Sequence, residues 1–263
     1  MKKVSYIIPI HNRSGHLDIL LNNLRYQTYK DFEVIVSDDN STEDFSEILK
    51  KHDSDLDIKY IRQEFDGEHM FRLASCRNIG ASIAGGDILV FCDSDVISNP
   101  DSIYRYVENF KKYGENIVIS AIIRRLRVYY DELEIDRIGK IPYLMSIDHD
   151  GDYRPGGFFT GCEGINFSTY VGVLFGNSAI MKDLFFKNDK FNEEFVGWGG
   201  EDNEFCLRLA GKGFKFLYDN DIFTYHIKHD DIKKEFNMSN EEWDKQHNKN
   251  LKLYFDLKDK MGM

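Results

Sequence analysis

The chain has 263 residues, 42% hydrophobic and 14% aromatic, so it can bury a large core and is globular rather than disordered. Its formal net charge is −11 without a long basic run, which argues against nucleic acid as the main partner. No segment approaches transmembrane length, and Pro9 interrupts the short apolar start, which favours a strand over a signal peptide. The cysteines lack metal-ligand spacing and point to free thiols in a reducing compartment: Cys76, Cys92, Cys162 and Cys206. We therefore expect a cytoplasmic protein that can touch a membrane surface.

The first hundred residues alternate apolar runs with helical periodicity. The pattern predicts strands at 4–8, 32–36, 58–62 and 88–92, separated by helices at about 17–24, 45–52 and 73–83. This alternation predicts an α/β fold with a Rossmann-like, doubly wound and mostly parallel sheet. In such folds ligands bind at the carboxyl ends of the strands.

Polar clusters follow three of these strands, and we expect them to converge on one edge of the sheet: residues 9–13, Asp38-Asp39 and Asp93-Ser94-Asp95. The third cluster directly follows the apolar run 88–92. Two carboxylates one residue apart can place their oxygens near one divalent cation, which could hold a diphosphate. The alternative is a turn or a helix cap, in which Asp and Ser are also common.

The second half is less regular. A helix is predicted near 102–113, a strand at 117–123, and a mobile loop or lid at 146–168, where glycines are frequent. The tail from Asn240 onward is predicted to be helical. We expect its apolar residues to pack either on the rest of the chain or on a partner, and packing on the rest of the chain is the simpler interpretation. These residues are Trp243, Leu251, Tyr254, Phe255 and Leu257. Since no Pro- or Ser-rich linker is visible, we expect one domain.

A second constellation lies at Gly197-Trp198-Gly199-Gly200-Glu201-Asp202. The glycines allow tight backbone turns and close approach of a ligand, and the indole offers a flat face to a sugar ring. Glu201 and Asp202 are predicted to start a helix. There they cap the helix dipole or, in the interpretation that we favour, bind hydroxyl groups and accept a proton.

Four stretches, in the family's order and spanning roughly residues 3–230, resemble GT-A glycosyltransferases: VSYIIPIHNR, QTYKDFEVIVSDDNSTED, ASCRNIGASIAGGDILVFCDSD and FVGWGGEDNEFCLRLAGKGFKF. The resemblance is strongest to the inverting family 2, and within it to bacterial chondroitin-polymerase-type and β-1,4-galactosyltransferase-like enzymes. It implies a GT-A fold with a nucleotide-sugar-binding half at 1–98. It also implies an acceptor-side extension, the acceptor-binding half at 99–263, which ends in the helical tail.

The resemblance also implies a donor site. Asp39 corresponds to the carboxylate that accepts a hydrogen bond from uracil, and Arg77 to an arginine near the ribose and diphosphate. Arg77 also stands at the edge of an apolar helical stripe, where a solvated arginine is less expected. The implied donor-binding residues are Pro9, His11, Asn12, Arg13, Asp38, Asp39, Arg77, Asp93, Ser94, Trp198, Gly199 and Gly200.

For the metal and the chemistry, the resemblance implies that Asp93 and Asp95 form a D-x-D motif for Mn²⁺ or Mg²⁺. Asp95 would be the more direct ligand and Asp93 would lie nearer the ribose. His226 matches a late histidine that completes the metal site, although His229 is close enough to take that place. Asp202 matches the catalytic base, and Glu201 a group that orients hydroxyls.

The implied activity is transfer of a hexose or N-acetylhexosamine from a UDP-sugar to a glycan, lipid-linked or protein-linked acceptor, with inversion favoured. Two other classes stay open. A nucleotidyltransferase should carry a Gly-rich basic loop after the first strand, where this chain has Pro9-Ile10-His11-Asn12-Arg13. A non-catalytic sugar-binding module should have lost the base or a metal carboxylate, yet all of these are present.

Overall fold

The computed structural model describes residues 2–64, 70–147, 149–152, 165–168, 173–230, 232–236 and 238–262. Most of the lid predicted at 146–168, together with Cys162, lies outside these ranges. Among the described residues, no helix combines the length and the apolar character that crossing a bilayer requires.

The described chain folds into strands and helices that alternate in its first hundred residues. The strands are β1 (Val4–Ile10), β2 (Phe32–Asp39), β3 (Ile58–Gln63), β4 (Ile88–Cys92), β5 (Val96–Ser98), β6 (Ile117–Tyr129), β7 (His149–Asp152), β8 (Ile165–Ser168), β9 (Asn177–Met181) and β10 (Lys215–Lys228). The helices are α1 (Ser14–Leu24), α2 (Ser46–His52), α3 (Leu73–Ser82), α4 (Ser102–Tyr113), α5 (Ile141–Ser146), α6 (Lys182–Lys187), α7 (Glu201–Gly211), α8 (Ile232–Glu235) and α9 (Asn240–Lys260).

One sheet joins these strands in the order β3-β2-β1-β4-β9-β6-β10-β5. The pairs from β3 through β4 are parallel, as predicted. The connection order reverses between β1 and β4, and the carboxyl ends of strands at such a switch point form the usual ligand crevice. Beyond β4, the antiparallel strand β9 lies between β4 and β6, which again runs parallel to β4. The structure thus has a mixed α/β architecture around a mostly parallel first half of the sheet.

Three predicted strands are clearly longer in the structure. Strand β6, predicted at 117–123, continues to Tyr129. Pro9 does not stop β1, which continues to Ile10. Pairing of β1 with β4 ends at Ile7, so Pro9 has a strand neighbour on one side only and its missing N–H is tolerated. Strand β2 likewise runs through Asp38 and Asp39, because β3 continues beside it as a pairing partner.

Helices cover both faces of the parallel strands. Residues of even number along β1, such as Tyr6 and Ile8, pack with α1 on one face, whereas Ile7 faces α3 and α7 on the other. Helix α3 approaches β1 closely at Gly80, where an added Cβ would lie 2.7 Å from Cγ2 of Ile7. This close packing brings α3, and with it Arg77, against the carboxyl ends of the strands. The described cysteines are buried free thiols: Cys76, Cys92 and Cys206.

Candidate functional site

The polar strand ends meet at the switch point. Arg13 donates to Oδ2 of Asp95 at 2.5 Å, which links the end of β1 to the end of β4. The Nδ1 atom of His11 lies 2.8 Å from the carbonyl oxygen of Asp39, which links β1 to β2. Asn12 and Arg13 have left-handed φ values of 53° and 66°, so the chain turns sharply here before α1 begins. The structure thus brings the three predicted clusters to one edge of the sheet.

At the β2 end, the two aspartates are held by different partners. Asp39 is fully buried, and its oxygens accept from the Gln63 side chain and, at 2.8 Å, from the Arg72 backbone N–H. Asp38 accepts from the hydroxyl of Tyr60 at 2.6 Å and from the Ser41 backbone N–H at 2.8 Å. Arg62 also reaches Oδ2 of Asp38 at 3.4 Å, so each carboxylate is fixed by several donors.

Asp95 lies with two histidines at the β4 end. Its Oδ2 is 3.4 Å from Nε2 of His229, its Oδ1 is 3.6 Å from Nε2 of His226, and ligating atoms of all three lie within 4.8 Å of one another. Oδ1 of Asp95 is buried without a hydrogen-bond partner among the described residues. Nδ1 of His229 lies 2.6 Å from the carbonyl oxygen of Asp230 and 3.2 Å from Nη2 of Arg13. In the tautomer that donates to the carbonyl, the Nε2 lone pair faces Asp95. This donor set fits a divalent cation.

The pKa of Asp95 is suited to ligating a cation. Burial alone would raise the pKa of this carboxyl, but His226, Arg13 and His229 around it lower the pKa below its ordinary value. Asp95 is therefore ionised at neutral pH. The sequence left open whether His226 or His229 completes the cation site, and in the structure both histidines lie close to Asp95.

Arg77 is the centre of a second, acidic cluster. Only 1% exposed, it donates to Asp202 at 2.7 Å and to Asp93 at 3.0 Å, and it lies 3.5 Å from Glu201. Asp93 thus pairs with Arg77 and stands outside the set formed by Asp95 and the histidines, so the D-x-D carboxylates face different groups. The intervening Ser94 is buried.

The acidic pair at the start of α7 has perturbed protonation. Burial and the neighbouring Asp202 charge raise the pKa of Glu201 to about 8, although Arg77 opposes the shift. Burial also raises the pKa of Asp202, against the effect of Arg77. Both oxygens of Asp202 are engaged, because Oδ2 accepts from the Phe175 backbone N–H at 3.0 Å. The Asp202 side chain is therefore directed at the cluster instead of capping α7.

The glycine-rich loop before α7 presents Trp198. Its glycines have φ values of 76°, 88° and 100° at Gly197, Gly199 and Gly200, a region that side chains rarely adopt. Trp198 is 46% exposed and stacks on Trp243 of α9, with ring centroids 5.7 Å apart. The tail therefore packs on the body at Trp243, as the simpler interpretation held.

Sequence reasoning missed several residues around this site. Phe236 stacks on His11 at 5.1 Å, and Asn250 hydrogen-bonds the glycine-rich loop. Neither residue belongs to a periodic or motif-like pattern, so the sequence carried no signal for them. The end of the tail departs from its predicted packing, since Leu251 is 38% and Phe255 53% exposed.

Comparison with known proteins identifies the family of the chain. A family profile described as glycosyl transferase family 2 matches residues 5–180, two-thirds of the chain. The chain belongs to glycosyltransferase family 2. A second profile, the N-terminal domain of galactosyltransferase, matches residues 164–230, which include the glycine-rich loop and His226. The chain is therefore a transferase enzyme.

The curated relatives include two bacterial synthases. The chain is 32% identical over 244 residues to the chondroitin synthase of Escherichia coli, covering 85% of this chain and 34% of the relative. It is 31% identical over 243 residues to the hyaluronan synthase of Pasteurella multocida, covering 85% of this chain and 24% of the relative. This glycosyltransferase chain thus spans about a quarter to a third of the length of these relatives.

Solved structures share the fold. S. aureus TarS 1–349 in complex with UDP-GlcNAc has a TM-score of 0.66 at 21% identity, covering 87% of this chain and 59% of that chain. GalNAc-T7 with UDP, GalNAc and Mn²⁺ has a TM-score of 0.64 at 18% identity, covering 87% of this chain and 44% of that chain. At these identities the likeness establishes the GT-A fold.

Proposed function

We propose that this family 2 enzyme transfers a hexose or N-acetylhexosamine from a UDP-sugar to a hydroxyl group of a glycan, lipid-linked or protein-linked acceptor. One observation carries the proposal: Arg77 joins the strand-end carboxylate Asp93 to the acidic pair of α7, beside the set of Asp95 and two histidines. A cation site and a candidate base thus adjoin the same switch-point crevice. The donor chemistry follows that of TarS, solved with UDP-GlcNAc, and GalNAc-T7, solved with UDP.

In this proposal the donor lies across the ends of β1, β2 and β4. Asp39 accepts from the uracil ring, with His11 beside it, and Asp93 faces the ribose. Arg13 supplies positive charge, which a diphosphate needs on a chain whose net charge is −11. Arg77 is buried among three carboxylates and acts by holding Asp93 beside the donor. Residues 1–98 therefore supply most of the donor contacts, and residues from 99 onward supply the acceptor side.

The group that Asp95, His226 and His229 hold is proposed to be Mn²⁺ or Mg²⁺. Two imidazoles and one carboxylate suit Mn²⁺ better, since Mg²⁺ prefers a shell of oxygen ligands. When bound, the cation stabilises the negative charge that develops on the UDP leaving group.

Asp202 is proposed to accept the proton of the acceptor hydroxyl as that oxygen attacks the anomeric carbon and the bond to UDP breaks. Direct displacement of this kind inverts the anomeric configuration. Arg77 orients the Asp202 carboxylate, and Glu201 hydrogen-bonds hydroxyl groups of donor or acceptor. A positioned base contributes about 10²–10⁴-fold to the rate.

The test is release of UDP from a panel of UDP-sugars, with and without hydroxyl acceptors, in Mn²⁺, Mg²⁺ or a chelator. We expect acceptor-stimulated, cation-dependent release from at least one UDP-sugar. Pyrophosphate release from UTP would instead identify a nucleotidyltransferase. Tight UDP-sugar binding without turnover with any acceptor would identify a binding module.

A further inference from the structure

The C-terminal helix α9 is attached to the glycine-rich loop by one buried side chain. Asn250 is 1% exposed, and its amide nitrogen lies 3.0 Å from the carbonyl oxygen of Val196, 3.3 Å from that of Trp198 and 3.0 Å from that of Gly199. The amide has two hydrogens, so these three carbonyls share them. Gln246, one helical turn earlier, donates to the Val196 carbonyl at 2.6 Å.

The loop needs this partner because of its own backbone. The carbonyl groups of Val196, Trp198 and Gly199 all face the Asn250 amide, a turn of the backbone that the positive φ values of the loop glycines allow. A buried carbonyl left without a donor costs about 1–3 kcal/mol. The contact is also tight, because an added Cβ at Gly197 would lie 2.7 Å from Cγ of Gln246. Helix α9 thus fits this particular conformation of the loop.

The loop leads directly into the acidic pair. Gly200 is the residue before α7, and its carbonyl accepts from the Glu204 backbone N–H at 2.9 Å in the first turn. Displacement of the loop therefore displaces Glu201 and Asp202 relative to Arg77, which is held on α3. None of these α9 contacts involves Asp39, Asp95 or the histidines.

We infer that Asn250 is a positioning residue: through α9 it fixes the loop of residues 196–200, and thereby sets the acidic pair and Trp198 for the transfer step. The inference rests on the proposed function. It assigns a positioning task to a helix that lies beyond both matched family regions, which end at residues 180 and 230. A misplacement of about 1 Å at a reacting group can cost about 10²-fold in rate.

The first variant is Asn250→Ala, which removes the shared donor. The matched control is Asn248→Ala, because Asn248 is the same residue type on the same helix but is exposed. Gln246→Ala removes one hydrogen bond to the same loop, and it keeps the test open if Asn250→Ala fails to fold. Circular dichroism checks folding in each case.

The kinetic result expected for Asn250→Ala is a 10- to 100-fold lower kcat for transfer with a raised acceptor KM, from the positioning effect. UDP-sugar affinity should fall by less than kcat, because the loop carries Trp198, Gly199 and Gly200 of the implied donor-binding set, whereas Asp39, Asp95 and the histidines lie outside it. Asn248→Ala should match wild type throughout. Gln246→Ala should show a smaller loss of the same kind. Unchanged kcat and acceptor KM in Asn250→Ala, or in Gln246→Ala if only that variant folds, would overturn the inference. A loss confined to donor affinity would overturn it as well.

Two further measurements report the attachment without any substrate. Trp198 and Trp243 are the chain's two tryptophans and they stack on each other, so fluorescence excited where the tyrosines do not absorb reports the surroundings of this pair. Amide hydrogen exchange of residues 197–204 reads the loop and the first turn of α7. Asn250→Ala should change both, and Asn248→Ala neither. If fluorescence and hydrogen exchange are both unchanged in Asn250→Ala, Asn250 does not hold the loop of residues 196–200 against α9. If the wild type turns over no UDP-sugar, the proposed function fails and the positioning task falls with it, while these two measurements still decide on the attachment.

Discussion

Asp202→Asn tests the proposed base most directly, because it removes the charge and keeps the size of the side chain. In the structure Oδ1 of Asp202 accepts from Arg77 and Oδ2 accepts from the Phe175 backbone N–H. Asparagine has one acceptor oxygen and one donor amide. Either orientation therefore leaves an amide N–H facing another N–H, so one of the two hydrogen bonds is lost.

The expected effect of Asp202→Asn on folding stability differs in size from its expected effect on kcat. Loss of a hydrogen bond to a charged group costs about 1.5–3 kcal/mol of stability. Relief of carboxylate repulsion offsets part of this, since Asp93, Glu201 and Asp202 all surround Arg77. Loss of the base should lower kcat by about 10²–10⁴-fold. The affinity for UDP-sugar should not change, because a base acts in the transition state.

The assay is product formation at saturating donor, paired with a calorimetric titration of UDP-sugar. The pH profile of the residual activity adds a second readout. Removing the Asp202 charge should lower the pKa of Glu201 from about 8 toward its ordinary value, because that charge is one cause of the raised pKa. Turnover near that of the wild type in a folded variant would refute the assignment and direct attention to Glu201.

Three further outcomes are expected. Asp95→Ala should abolish cation-supported UDP binding in calorimetry, since it removes an oxygen ligand; unchanged affinity would remove Asp95 from the cation site. Glu201→Gln should match wild-type stability near pH 4.5 and exceed it at pH 8 by more than about 1.4 kcal/mol, the equivalent of one pKa unit. The reason is that a carboxyl whose pKa is raised in the folded state lowers the stability of the wild-type protein as the pH rises from the unfolded pKa to the folded pKa. Urea unfolding at both pH values measures this, and the same stability difference between variant and wild type at both pH values would contradict the prediction. Gly80→Ala should destabilise the fold by about 1–3 kcal/mol, because the added methyl overlaps Ile7; an unchanged urea midpoint would contradict the packing described.

Local patterning predicted most of the elements in the first half. The strand at 88–92 and the helix at 102–113 were placed at their observed bounds, because an unbroken apolar run and a strongly amphipathic stretch each specify one conformation. The convergence of Arg13 and Asp95 followed from strand–helix alternation, since parallel strands share a carboxyl edge. Buried Arg77 was flagged by its place beside an apolar stripe.

Long-range pairings were not predictable in the same way. Asp38 and Asp39 were expected after the end of their strand, and only pairing with β3 reveals that they lie within it. Asn250 binds carbonyls about fifty residues earlier in the chain, and a polar residue on a charged helix gives no sign of such a partner. The division of Asp93 and Asp95 between two clusters depends on where α3 and β10 place Arg77 and the histidines.

The insertion of β9 beside β4 has a consequence for synthesis of the chain. Every residue of β4 is fully buried, and Asn177–Met181 supplies its neighbour on one side. Until residue 181 has left the ribosome, β4 is an uncovered apolar edge strand, the kind of surface that promotes aggregation. A fragment ending at residue 98 should therefore be insoluble, although it contains the strands β1 to β5. More than eighty residues separate the end of β4 from the start of β9, so the edge of β4 stays unpaired on this side while that stretch is synthesised.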